Sequence, residues 1–142
     1  MDNGSIAVIG DNQAFMVKSN YSDIDRYSYD GLTLTAFSYD RSQGGAISLS
    51  PSSDGGNCHI VYLNKNGSLD KITDTQYRIS SIDIYGGKIA ALCDGGITAF
   101  YTTSGDEAGT ADSGIDAQSI SMYGENSVYV LGISEIREAS AG

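Results

Sequence analysis

The sequence has 142 residues, 40% of them apolar and only 18% charged, with 18 glycines, one proline, ten tyrosines and no tryptophan. Charge this sparse excludes a coiled coil or a long solvated helix. A net charge of −10, with the eight Lys and Arg scattered singly, leaves no basic stripe for a nucleic acid or an anionic membrane surface.

The first five residues, Met1 to Ser5, lack the basic start and apolar run of a secretory signal. The chain therefore reads as cytoplasmic as written, or as a piece of a longer exported protein. Frequent Gly without Pro, set among Ser, Thr and Tyr, predicts short strands joined by tight turns. The first apolar run is Ile6-Ala7-Val8-Ile9-Gly10-Asp11, followed by strand candidates at Ala14 to Lys18 and Ile24 to Tyr29. Next come Ala46-Ile47-Ser48-Leu49-Ser50, then His59 to Leu63 after the turn signal Asp54-Gly55-Gly56-Asn57, then Leu69 to Thr73.

The alternating run Ser81-Ile82-Asp83-Ile84-Tyr85-Gly86 recurs 38 residues later as Ser119-Ile120-Ser121-Met122-Tyr123-Gly124. Each is followed by a short apolar run, Ile89 to Asp94 and Val128 to Gly132, which reads as a buried inner strand. The run at Ile6 matches the run at Ile89 without a gap, 83 residues earlier, and Ala46 to Ser50 lies between them. Ile97 to Tyr101 follows Asp94-Gly95-Gly96, and Gly109 to Asp112 is a weak outer-strand candidate. Ser134 to Gly142 has the composition of a short capped helix, but repeat position predicts a strand. Small residues at Gly10, Cys93 and Gly132 suit close packing between units.

A four-strand repeat of about 40 residues predicts an all-β chain of about three and a half propeller-type blades. The blade segments run roughly 4–30, 31–76, 77–114 and 115–142. An open stack of this kind leaves apolar blade faces uncovered. The expectation is part of a six- to eight-bladed ring, completed by further sequence or by a homodimer. A two-sheet or open β-structure uses the same strands and stays open as an alternative.

The Ser-Ile-x-Ile-Tyr-Gly run, the buried strand after it, and Asp-Gly-Gly before an aromatic strand resemble WD40-like and quinoprotein-like propeller repeats. The pattern is most similar to a family of membrane-anchored propeller proteins from anaerobic Gram-positive bacteria. That resemblance implies an extracellular or cell-surface module binding a protein or carbohydrate ligand, on an anchor outside this sequence. The Gly-His and Trp-Asp dipeptides of WD40 repeats are absent, and without tryptophan no quinone site is expected; no cofactor is assigned.

His59 is the single histidine and neighbours Cys58, yet adjacent strand residues point to opposite faces, which disfavours a nucleophile–base pair. Cys58 and Cys93 lack metal-ligand spacing and read as small strand residues, with a cross-strand disulfide as the alternative. Asp23, Asp25 and Asp30, and Asp106, Glu107, Asp112 and Asp116, cluster in loops without the calcium-loop spacing. Asp83 is the one acid within an inner apolar run, facing the channel of a ring. The tyrosines are the stronger candidates. Tyr85 and Tyr123 hold equivalent turn positions, and Tyr27, Tyr29 and Tyr39 gather between the first two blades. They serve as packing between blades or as an aromatic surface for a sugar or a protein. The reading is a non-catalytic binding or scaffolding module. The alternative is a fragment of a propeller enzyme acting on carbohydrate, its active site completed by other blades; a gene fragment without independent function is the third.

Overall fold

The alternating runs form fourteen strands and no helix in a computed structural model of the chain, which describes residues 6–17, 24–40, 42–51, 54 and 56–141. Asp23, Gly55 and the first five residues lie outside that set. The strands make four antiparallel meanders. Sheet 1 holds β1 (Ile6–Ile9), β2 (Gln13–Val17) and β3 (Ile24–Ser28). Sheet 2 holds β4 (Thr33–Asp40), β5 (Gly44–Ser50), β6 (His59–Leu63) and β7 (Leu69–Asp74). Sheet 3 holds β8 (Ile79–Tyr85), β9 (Lys88–Cys93), β10 (Ile97–Thr102) and β11 (Glu107–Asp112). Sheet 4 holds β12 (Ser119–Gly124), β13 (Ser127–Leu131) and β14 (Ile136–Ser140). These are the blade-like units that the repeat predicts, in the predicted order.

The ambiguous C-terminal segment is a strand. Ile136 opposes Leu131 and Ser140 opposes Ser127, so β14 completes the ladder on the free edge of β13. A helix this short gains too few hydrogen bonds to compete with that ladder. The weak outer strand of sheet 3 starts earlier than expected, at Glu107, and a register shift between Phe100 and Tyr101 accommodates the extra length.

Each sheet packs face to face on the next, which makes three apolar seams. Seam 1, between sheets 1 and 2, contains Ala14, Met16, Tyr29, Ile47, Leu49, Val61 and Leu63. Seam 2 contains Cys58, Ile60, Ile82, Ile84, Ile89, Cys93 and Tyr101. Seam 3 contains Leu92, Phe100, Ile120, Met122, Val128 and Val130. Strand β9 shows why the middle strands read as continuous apolar runs. Ile89, Ala91 and Cys93 enter seam 2, while Ala90 and Leu92 enter seam 3, so both faces are dry. Each large side chain buried this way contributes roughly 1.5–3 kcal/mol.

The buried serine and threonine hydroxyls are paired: Thr98 Oγ1 lies 2.6 Å from Ser113 Oγ, and Ser48 bonds Thr35. The turn at Asp94-Gly95-Gly96 depends on glycine. Gly96 has φ +78°, and a Cβ there would lie 2.2 Å from the Gly114 carbonyl oxygen. Gly132 is small because of its own unit rather than packing between units: a Cβ would lie 2.6 Å from Asp116 Oδ2 and 2.7 Å from Arg137 Nη1.

Candidate binding surface

Asp83 lies on β8, the inner strand of sheet 3, and its carboxylate joins three sheets. Oδ1 accepts the Ser38 hydroxyl of β4 at 2.9 Å, and Oδ2 accepts the main-chain N–H of Met122 on β12 at 2.7 Å. Neither partner is ionisable. The same pattern recurs in each seam, always with the side-chain acceptor on one sheet and the N–H on the next. Asp25 accepts from Leu69 N at 2.9 Å, Gln43 from Gly86 N at 2.8 Å, and Ser81 from Ile120 N at 3.1 Å. Asp83 is thus a stitch between sheets, held there by hydrogen bonds to a charged acceptor, which are among the stronger kind.

The sequence-predicted tyrosines divide into two groups. Tyr29 is buried in seam 1, and Tyr27 and Tyr39 are half-buried against the same cluster. They serve there as packing between sheets. Burial raises the Tyr29 and Tyr39 phenols above their usual range, with Asp11 and Asp40 adding to it. Among the described residues their hydroxyls find no hydrogen-bond partner. Tyr85 and Tyr123 are exposed at the ends of β8 and β12. Tyr123 sits against a residue that sequence reasoning did not single out, Tyr129 on β13. Their ring centroids are 4.3 Å apart and their planes tilted by 33°.

Tyr129 belongs to the outer face of sheet 4. Cross-strand register puts Ser119, Leu131 and Ile136 in one row on that face, and Ser121, Tyr129 and Glu138 in the next. An open depression of about 250 Å³ lies among Ser119, Ser121, Tyr129, Leu131 and Ile136. By the β9–β13 correspondence, Tyr129 and Leu131 hold the positions of Ala90 and Leu92. Ala90 is 0% and Leu92 1% exposed, whereas Tyr129 is 44% and Leu131 48% exposed. Val128 to Gly132 was expected as a buried inner strand; only one of its two faces is buried, because no further sheet lies beyond sheet 4 among the described residues.

Sheet 1 mirrors this at the other end. Ile6, Val17 and Ile24 make one outward row, and Val8, Phe15 and Arg26 the next. Ile6 and Val8 correspond to the wholly buried Ile89 and Ala91, yet are 48% and 39% exposed. Both ends of the stack therefore present apolar faces in positions that are core in the interior.

Elsewhere the polar groups are used locally. His59 Nδ1 bonds Asp74 on the neighbouring β7, while Cys58 points into seam 2. The His59 hydrogen bond and Lys71 hold the Asp74 carboxyl below its usual range. Cys58 and Cys93 are both buried without a disulfide, and burial pushes the Cys93 thiol up to about 12. Arg137 on β14 donates to the Ser113 carbonyl and pairs with Asp116, latching sheet 4 to the preceding loop and lowering the Asp116 pKa. Among the described residues no three His, Cys, Asp or Glu side chains gather as metal ligands. Among the described residues no helix is long and apolar enough to cross a membrane.

No protein-family model matches the chain, and no curated protein matches it. Among solved structures, the computationally designed Ika4 protein superposes with a TM-score of 0.64 at 10% identity, over 100% of this chain and 88% of that one. The computationally designed Ika8 protein gives 0.46 at 10% identity, over 96% of this chain and 57% of that one. The chain is thus similar in fold to the Ika4 design, and the likeness extends to the fold alone.

Proposed function

We propose that the chain is a non-catalytic binding or scaffolding module of the β-propeller type, and that its contact surface is the outer face of sheet 4. One observation carries this reading: Tyr129 and Leu131 are half-exposed in repeat positions that are dry core in sheet 3. Surface that apolar and aromatic is costly to leave in water and suits a partner. Tyrosine offers large contact area at low entropic cost, and its polar tip tolerates the wet state before binding. The face is broad and shallow, with one carboxylate, Glu138, among its rows. Such a face fits a protein surface better than a small ligand, which favours an enclosed pocket. Asp83, the inward acid, has both oxygens engaged in holding sheets together.

The reading is tested by biolayer interferometry against a panel of soluble oligosaccharides, peptides and the protein itself. Tyr129→Ala combined with Leu131→Ser removes the centre of the face. Any partner held by the wild type should bind this variant at least about tenfold more weakly, since central aromatic anchors dominate interface energy. An interaction that survives the double substitution at full strength refutes the assignment of this surface.

A further inference from the structure

Resting on that reading, we infer that the partner of the sheet 4 face is the sheet 1 face of a second copy of this chain, packed head to tail. The three internal seams share one polarity: the downstream face of each sheet meets the upstream face of the next. The upstream face of sheet 1 and the downstream face of sheet 4 are the two halves of one more such seam. Strand β1 aligns with β9 without a gap, so Ile6 and Val8 are placed to do what Ile89 and Ala91 do in seam 2. Tyr129 and Leu131 are placed to do what Ala90 and Leu92 do in seam 3.

Charge selects this pairing over sheet 4 on sheet 4. The rows of the sheet 1 face carry one charged residue, Arg26, and those of the sheet 4 face carry one, Glu138. Both are exposed, and both lie on outer strands of their sheets. Head-to-tail contact brings opposite signs together, whereas each face on its own copy brings like charges together, which disfavours it. A head-to-tail interface is heterologous and makes a closed ring when its rotation closes. Two copies of four sheets give eight, within the range over which propellers close.

The test uses size-exclusion chromatography with light scattering on the 142-residue chain over micromolar to submillimolar concentration, with circular dichroism to confirm folding of each variant. The wild type should run at twice 14.9 kDa. Val8→Glu and Leu131→Glu should each run as monomers when alone. Mixed, they should associate, because the mixture holds one intact sheet 4 face and one intact sheet 1 face. Arg26→Glu and Glu138→Arg should each weaken self-association roughly two- to fivefold, as an exposed ion pair is lost. Combining the two should restore it. A Val8→Glu variant that still dimerises overturns the proposal in favour of sheet 4 on sheet 4. Masses that climb without limit with concentration overturn the closed ring. A wild type that stays monomeric throughout overturns self-association. The binding reading survives that last result if Tyr129→Ala with Leu131→Ser abolishes capture of a different partner, and fails with it otherwise.

Discussion

Replacing Asp83 by alanine tests the stitching of the sheets directly. The carboxylate accepts one hydroxyl from β4 and one main-chain N–H from β12. Alanine leaves the Met122 N–H without its acceptor at a residue that is itself only 8% exposed. A stranded donor of this kind costs about 1–3 kcal/mol, and the lost Ser38 bond adds about 0.5–1 kcal/mol because a hydroxyl can turn to water. The expected destabilisation is therefore about 1.5–4 kcal/mol, or roughly 5–12 °C in Tm for a domain of this size. Asp83→Asn keeps an acceptor for Met122 N and should cost about 1 kcal/mol. Urea unfolding followed by circular dichroism measures all three proteins. Ser38→Ala supplies the double-mutant cycle, whose coupling to Asp83→Ala should exceed about 0.5 kcal/mol. A loss below about 0.5 kcal/mol for Asp83→Ala would falsify the role assigned to this carboxylate.

Three other expectations follow from particular residues. The Cys93 thiol is raised in the folded state from 9.0 to about 12, so the folded protein retains a proton that the unfolded chain releases. Its contribution to stability is whole below pH 9 and is lost as pH rises towards 12, at up to about 1.4 kcal/mol per unit. Tyr101, raised by the same burial, adds to the loss above its ordinary value of 10.0. Urea midpoints should fall between pH 8 and pH 10.5, and less steeply in Cys93→Ala; equal slopes would remove Cys93 from the account. Gly96→Ala forces a left-handed alanine whose Cβ meets the Gly114 carbonyl, and should cost more than about 2 kcal/mol. Gly95→Ala, at φ +84° with open space around it, should cost only about 1 kcal/mol, and thermal melts showing equal costs would refute the steric reading. Tyr39→Phe removes a buried hydroxyl without a described partner, and should leave stability unchanged or raise it by up to about 1 kcal/mol; a fall beyond 1 kcal/mol would reveal a bond to that oxygen.

The strand order was readable because side-chain alternation and the 38-residue recurrence report the same geometry from different distances. The stitching was half readable. Asp83 stands out as an acid in an apolar run, but its acceptor role depends on the Met122 backbone, which carries no side-chain signal. A trace of it exists in the spacing: Asp83 to Met122 and Ser81 to Ile120 are both 39 residues, one repeat plus one position. The grouping of Tyr27, Tyr29 and Tyr39 was visible, while their burial follows from Leu32 and Leu34 closing over the same seam. Tyr129 escaped notice because the run Val128 to Leu131 reads the same whether one face or both are covered. Its one clue was size, a tyrosine where β9 has alanine.

The stitches also bear on how the stack opens and closes. Each seam joins only neighbouring sheets, so folding can begin at any seam and spread along the stack, with each sheet templating the next. Asp83 couples two of those nearest-neighbour contacts, since its two oxygens engage the sheets on either side of its own. Sheets 2, 3 and 4 are thereby tied into one cooperative block, and loosening either seam of sheet 3 strains a bond in the other. Among the described residues, Asp25 alone stitches sheet 1 to its neighbour, and sheet 1 fits a separate unit. Native-state hydrogen exchange should resolve this as two foldons, with the amides of β1 and β2 opening before those of β9 and β10.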